Sequence, residues 1–281
     1  MNNSTVNSIP EASTNSTDDL VGGMTNLDIC MFSINFLFGL PTHSYVIWLI
    51  ITGTRSGVAS DFFNLNLSLC ETGNCLNSLL SVIDYCTGLS CFRSFILFSL
   101  GLFITGRPLF QCLISAERYL AVVHPVTFLK YKPLRYRVIC CTAAWIIILG
   151  SCLCYMFASQ FKIHTYIYFY SIQFLLFLSI QLFCLVAVLR ALKQSGPGER
   201  GREIKEENHM KTRAFYLILI TTVTMSVIYV PFIISGFSFI LMRWFIVDLS
   251  SFGLLCFILA GFVQPVLYLH RVGKLSRLCS P

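Results

Sequence analysis

The sequence predicts an all-α membrane protein: a bundle of seven transmembrane helices followed by a short amphipathic C-terminal helix. Of its 281 residues, 56% are hydrophobic and only 12% are charged, whereas soluble domains carry about 25% charged residues. The apolar runs reach the roughly 20 residues that a helix needs to cross a bilayer. They do not alternate between apolar and polar residues, so they predict helices and not a β-barrel. The runs lie near residues 29–52, 62–86, 92–122, 138–158, 163–192, 214–240 and 245–269.

The positions of Lys and Arg predict the orientation of these spans. Most of the 20 basic residues fall in the first, third and fifth connections and in the C-terminal tail, which therefore face the cytoplasm. Only Arg93, Lys162 and Arg243 fall on the other side. The N-terminus is thus expected outside a plasma membrane and the C-terminus inside. The net charge of +7 is a topology signal, and a nucleic-acid partner is not expected because no soluble domain carries a basic patch.

The N-terminal segment, residues 1–28, is predicted to be a disordered extracellular tail. It is rich in Ser, Thr and Asn and lacks the apolar core of a signal peptide. Sequons at Asn2, Asn3 and Asn15 predict glycosylation, although a tail of this composition also produces sequons by chance.

The transmembrane domain, residues 29–269, contains ionisable residues and prolines that need a physical reason. Glu71 and Arg107 lie well inside apolar spans, where such residues usually face the bundle and pair. Arg107 precedes Arg118 by about three helical turns, so both point the same way. Pro231 and Pro265 each remove a backbone donor and bend a helix.

The C-terminal segment, residues 270–281, is predicted to be a cytoplasmic tail. The spacing of its basic and apolar residues is typical of an amphipathic helix that lies on membrane lipids at the inner leaflet. Cys279 is either a palmitoylation site that adds a second anchor or an ordinary free thiol.

Short motifs in six of the spans resemble those of rhodopsin-like (class A) G-protein-coupled receptors, and the first resembles the branch that holds nucleotide and proteinase-activated receptors. The resemblance covers about residues 29–279. The matching motifs are Gly39-Leu40-Pro41 with Trp48, Asn66-Leu67-Ser68-Leu69-Cys70-Glu71, Glu117-Arg118-Tyr119, Trp145, Tyr229-Val230-Pro231 and Gln264-Pro265-Val266-Leu267-Tyr268.

This resemblance implies a receptor that binds an extracellular ligand and activates a heterotrimeric G protein. It implies that the prolines let helix six swing outward and open a cytoplasmic cavity. In this role the coupling switch would consist of Glu117, Arg118, Tyr119 and Tyr268, and the lever of Tyr229, Pro231, Gln264 and Pro265.

The resemblance also gives the Glu71–Arg107 pair a hypothetical role. In the family, the position of Glu71 binds a sodium ion with help from the position that Arg107 occupies. The guanidinium of Arg107 is therefore expected to replace that ion as an internal counter-charge. The alternative is that Arg107 points elsewhere.

Several positions depart from the family pattern. Span two has Glu71 and span seven has Gln264 where the family has Asp and Asn, and span five lacks its usual Pro. The outer disulfide is expected to be absent, although Cys91 could pair with Cys86 or Cys30. With only Glu117 expected as a partner, Arg118 is loosely held, and appreciable basal activity is predicted.

The ligand cavity implied by the resemblance lies between the outer halves of spans three, five, six and seven. Core packing explains most of its candidate residues equally well. An aminergic, nucleotide or opsin ligand is not supported, so a lipid or a small anion is expected, with a peptide as an alternative. The candidates are Phe95, Phe98, Phe103, Gln173, Ile233, Phe237, Leu254 and Phe257.

Three other functions compete with the receptor interpretation. A transporter or channel would need more paired polar residues along a path. A membrane enzyme would need a catalytic constellation or a metal cluster on the spans, and no cofactor, metal or catalytic residue is expected. A receptor-like protein that no longer signals is the third alternative, because several motif positions are substituted.

Overall fold

The computed structural model describes residues 26–52, 61–88, 92–131, 134–157, 163–194, 202–242 and 247–272. These residues form seven long helices. A short helix, Pro125–Tyr131, follows the third of them. The long helices are α1 (Asn26–Thr52), α2 (Phe62–Thr87), α3 (Arg93–Val123), α4 (Leu134–Phe157), α5 (Ile163–Gln194), α6 (Arg202–Met242) and α7 (Val247–Val272).

The prediction of an all-helical membrane protein is confirmed. Among the described residues, six helices are long and apolar enough to cross a membrane, and α2 is not one of them. α2 has 26 residues, about 39 Å of helix, so it is long enough. Its buried face carries several polar residues, among them Asn64, Asn66, Glu71 and Asn74, and these lower its hydropathy.

The observed boundaries of the helices differ from the predicted boundaries of the spans chiefly in α6. This helix begins at Arg202, well before the predicted start at residue 214. The sequons at Asn2, Asn3 and Asn15 and the thiol of Cys279 lie outside the described residues.

Two helices contain a π-turn just before a proline. The π-turn Asn35–Gly39 precedes Pro41 in α1, and the π-turn Leu102–Gly106 precedes Pro108 in α3. Because proline has no N–H group, Pro108 cannot donate to the carbonyl of Ile104 four residues earlier. A π-turn also adds one residue to the helix and changes which side chains share a face after it.

α3 lies at the centre of the bundle and contacts α2, α4, α5 and α6. It packs very closely against α4 at Gly101, where an added Cβ atom would overlap the backbone of Ser151 and Cys152. Gly101 therefore permits a close approach that no larger residue would allow. α7 closes the bundle against α1 and α6.

The described cysteines include Cys30 and Cys86, and both are free thiols. Neither therefore takes part in the disulfide that the sequence left open. Cys91 lies outside the described residues.

Candidate functional site

The centre of the bundle contains a buried ion pair between Glu71 of α2 and Arg107 of α3, which the sequence predicted to pair. We call it the middle pair. The guanidinium contacts both carboxylate oxygens: Nη2 donates to Oε2 at 2.6 Å, and Nε donates to Oε1. This two-fold contact is the strong geometry for an arginine–carboxylate pair. The side chains are only 2% and 4% exposed.

α7 completes the surroundings of Arg107. Nη1 donates to the carbonyl oxygen of Phe257 at 2.7 Å, and the guanidinium carbon lies 3.6 Å from the centre of the Phe257 ring. Gly261 leaves room for the charge, because a Cβ atom there would lie 3.1 Å from Nη2. Arg107 therefore joins three helices, and hydrogen bonds offset the cost of burying its charge.

The carboxylate of Glu71 has a second donor on its own helix. Nδ2 of Asn74 donates to Oε2 at 3.3 Å. His43 of α1 is also buried. The middle pair is thus a buried polar core inside an apolar bundle.

Above the middle pair, Tyr229 of α6 connects three helices. Its hydroxyl donates to the carbonyl oxygen of Ile104 at 3.0 Å, the carbonyl that Pro108 cannot serve. Its ring stacks on Phe174 with the ring centres 5.5 Å apart, and it also contacts Tyr170. The contact holds α6 against α3 two residues before Pro231, which lies inside α6.

On α7, the lever residue Gln264 contacts α2, and the switch residue Tyr268 contacts α1. Nε2 of Gln264 donates to Oδ1 of Asn64 at 2.7 Å, next to Pro265 inside the helix. Tyr268 is buried in a cluster with Val46 and Leu49 of α1. In this structure Tyr268 therefore packs against α1.

At the inner end of α3, the carboxylate of Glu117 binds Arg137 of α4. We call this contact the inner pair. From the sequence, only the neighbouring Arg118 was expected as a partner of Glu117, so Arg137 was missed. Tyr119 lies beside this site: its hydroxyl is 3.0 Å from Nε2 of His124, and its ring meets Phe183 of α5 edge to face.

The structure divides the predicted ligand-pocket residues into two regions. Phe103, Ile233, Leu254 and Phe257 share one cluster between α3, α6 and α7. In this cluster the rings of Phe103 and Phe257 stack with their centres 3.6 Å apart. Phe98 packs in a different cluster, with Trp145 of α4.

The remaining pocket candidates are exposed to solvent or already contact residues of neighbouring helices. Phe95 is exposed, and Phe237 meets Tyr168 of α5 edge to face. Gln173 forms a triangle with Thr105 and Ser151: its Nε2 donates to the hydroxyl oxygen of Ser151 at 3.0 Å, and its Oε1 accepts from Thr105 at 3.2 Å. The side-chain amide of Gln173 is thus used to hold α3, α4 and α5 together.

One set of residues was not predicted from the sequence. Polar residues recur along α2 at helical spacing from Glu71 toward the outer end: Asn74, Asn77, Ser81 and Asp84. From the sequence, Glu71 was expected to pair with Arg107, and the polar residues that follow it on α2 were missed. The spacing of three and four residues inside an apolar run was the available signal.

Comparison with known proteins gives a consistent result. The sequence model described as "7 transmembrane receptor (rhodopsin family)" matches residues 43–268. The human C-C chemokine receptor type 8 is 27% identical over 231 residues, which cover 72% of this chain and 60% of that protein. The human uracil nucleotide/cysteinyl leukotriene receptor is 21% identical over 252 residues, which cover 80% of this chain and 66% of that protein.

A further relative is the human chemokine XC receptor 1, which is 28% identical over 191 residues that cover 62% of this chain and 57% of that protein. The chain spans less than two thirds of the length of these three relatives.

Proposed function

This chain belongs to the rhodopsin family of seven-transmembrane receptors, as its motifs predicted, and from that premise we propose that it is a cell-surface receptor that binds an extracellular ligand and activates a heterotrimeric G protein. α2 serves as the remaining membrane span: its length is sufficient, and its polar face points into the bundle. The N-terminus lies outside the plasma membrane and the C-terminus inside, as the basic residues predict.

The observation that carries this proposal is the hydrogen bond from Tyr229 to the carbonyl of Ile104. It connects α6, two residues before Pro231, to a π-turn in α3 where Pro108 provides no N–H group for that carbonyl. A ligand that favours a state without this contact would free α6 to swing. In this proposal the contact is either formed or broken, and a ligand biases the two arrangements through its different affinity for each.

The outer apolar cluster beside Tyr229 is the proposed ligand site. Its described residues Phe103, Ile233, Leu254 and Phe257 would bind the apolar part of a ligand. The expectation of a lipid or small anionic ligand rests on the basic residues predicted at the outer surface, and a peptide is the alternative. One relative is named for uracil nucleotide and cysteinyl leukotriene, and another is a C-C chemokine receptor.

The middle pair, which lies deeper in the bundle than Tyr229, is also part of the proposed activation mechanism. We propose that the guanidinium of Arg107 takes the place that a sodium ion has in the family, because it binds both oxygens of Glu71 and the carbonyl of Phe257. Unlike a diffusible ion, this charge cannot leave when the bundle rearranges. The receptor's activation should therefore not respond to sodium.

The test is basal G-protein activation in cells, measured with a panel of G-protein sensors. The full chain is compared with Arg118→Ala at matched surface expression. Arg135→Ala is the control, because it also removes an arginine near the inner surface, but one that is exposed and rests on Tyr136.

A basal signal that disappears in Arg118→Ala and persists in Arg135→Ala would support the proposal and identify the G protein. A signal that Arg118→Ala leaves unchanged would contradict it. Silence in every variant, before and after a ligand screen, would favour the receptor-like protein that no longer signals.

A further inference from the structure

The polar side chains of α2 form a column that leads from the middle pair to the outer end of the bundle. Asn74, Asn77, Ser81 and Asp84 follow one another at intervals of three and four residues, so they lie along one face of the helix. Asn74, Asn77 and Ser81 are more than nine-tenths buried. From Asn74 to Asp84 the helix rises about 15 Å.

The column has acceptor atoms that nothing in the described part of the protein satisfies. The buried Oδ1 atoms of Asn74, Asn77 and Asp84 have no hydrogen-bond partner. The amide nitrogen of Asn74 already donates to Glu71, which identifies the other amide atom as the oxygen. A buried acceptor left without a donor costs about 1–3 kcal/mol, so the column is suited to a ligand that brings several N–H or O–H donors.

Charge determines which donor the column prefers. The carboxylate of Glu71 is neutralised by Arg107, so Asp84 supplies the negative charge at the outer end of the column. The next residues along the helix, Tyr85, Cys86 and Thr87, are exposed, so Asp84 marks the outer end of the column, next to residues that solvent reaches. A carboxylate binds a positively charged donor more strongly than a neutral one.

We propose that this column is a binding site for a linear organic amine that enters from the outer surface. Its ammonium group binds Asp84, and N–H groups further along the chain donate to Asn77 and Asn74. The site is separate from the apolar cluster between α3, α6 and α7. It does not require that the protein activate a G protein, so the two proposals can fail independently.

The probe is spermidine, a linear triamine. The full chain is purified and placed in nanodiscs of phosphatidylcholine, which carries no net charge that would attract the probe. Binding is followed as the rise in the thermal unfolding midpoint with spermidine concentration. Tetraethylene glycol and adipate serve as neutral and anionic chains of comparable length.

Two variants test the assignment, and one is the control. Asp84→Asn keeps the shape but removes the charge, and it should weaken spermidine binding about tenfold or more. Asn77→Leu should also weaken binding while it raises the unfolding midpoint without ligand, because it removes an unsatisfied acceptor. Asp28→Asn should leave binding unchanged, since Asp28 is another acid of the outer bundle and its Oδ1 atom accepts from Ser251 at 3.2 Å.

The proposal holds if spermidine stabilises the wild type and Asp28→Asn, and if Asp84→Asn weakens that effect. It is overturned if spermidine does not bind, if Asp84→Asn binds it as tightly as the wild type does, or if the glycol stabilises the protein equally. The last outcome would mean that the column is only hydrated.

Discussion

Two arginine–glutamate pairs join α3 to its neighbours, and they differ in how completely they are enclosed. In the middle pair, the Arg107 and Glu71 side chains are 2% and 4% exposed, whereas Arg137 and Glu117 of the inner pair are 8% and 11% exposed. The middle pair also binds Asn74 of α2 and Phe257 of α7. The inner pair lies at the end of α3 next to the basic segment that is expected to face the cytoplasm.

This difference indicates that the degree of burial decides whether an ion pair mainly stabilises the fold or can act in signalling. A charge in the middle of an apolar bundle is stable only with all its partners present, so the middle pair should fix one arrangement of α2, α3 and α7. A less enclosed pair at the end of a helix can exchange partners at a smaller cost. We therefore expect changes to the middle pair to affect stability and changes to the inner pair to affect signalling.

Breaking the middle pair should have the largest effect. Arg107→Met leaves the carboxylate of Glu71 buried without its counter-charge, and the expected loss is about 3–5 kcal/mol of stability. This loss should appear as poor surface expression and as a much lower unfolding midpoint of the purified protein.

The control for this variant is the double change Arg107→Met with Glu71→Leu. An apolar pair of similar volume can replace a buried ion pair at small cost, so the double variant should recover most of the lost stability. If both variants were equally unstable, the contact with Phe257 and not the charge pair would be the main contribution.

Crowding the middle pair without removing a charge should have a smaller effect. In Gly261→Ala the new Cβ atom would lie 3.1 Å from Nη2 of Arg107, so the guanidinium must move by a few tenths of an ångström. Overpacking of this kind costs about 1–3 kcal/mol, measured as a lower unfolding midpoint. Gly150→Ala is the matched control, because nothing lies within 4 Å of its added Cβ atom. Equal midpoints for the two variants would contradict the tight fit at Gly261.

Replacing the charge of Arg107 by a sodium ion tests what fixes the middle pair. In Arg107→Ser, Glu71 keeps its carboxylate and the site regains room for sodium. Sodium chloride should then stabilise the variant relative to potassium chloride, by about 1.4 kcal/mol at sodium tenfold above its dissociation constant. The wild type should unfold at the same midpoint in both salts. A variant that does not distinguish the two salts would exclude the proposed replacement of sodium by arginine.

The sequence predicted much of this architecture because its strongest signals are local. Seven long runs predicted the helices, and two ionisable residues inside apolar spans predicted that Glu71 and Arg107 would pair. The partner of Glu117 could not be predicted in the same way, because Arg137 lies on the next long helix and the contact depends on how α3 and α4 pack.

The pocket residues of α3 show a second limit. Phe98 and Phe103 were predicted to face one cavity, but they pack in different clusters. The two residues are five positions apart, which is about 140° of net rotation in a regular α-helix, and Phe103 lies inside the π-turn Leu102–Gly106, which changes that rotation further. Its sequence, Leu-Phe-Ile-Thr-Gly, has no feature that marks a π-turn apart from the proline two residues later.

The inner pair should give the smallest change in stability and a change in signalling. Arg137 holds the carboxylate of Glu117, and Arg118 is the next residue of the same helix. In Arg137→Met, Glu117 loses this competing partner and can hold Arg118 more firmly in the inactive arrangement. We expect basal G-protein activation to fall by about two- to fivefold, because a partner exchange close to water is worth up to about 1 kcal/mol.

Glu117→Gln should act in the opposite direction, since it removes the carboxylate that both arginines can bind. Basal activation should stay the same or rise, while the unfolding midpoint changes little in either variant. Both are measured with the G-protein sensors at matched surface expression, with Arg135→Ala as the control. If the two variants changed basal activation in the same direction, Glu117 would not be shared between Arg137 and Arg118. The inner pair would then be structural, like the middle pair, and depth alone would not separate the two roles.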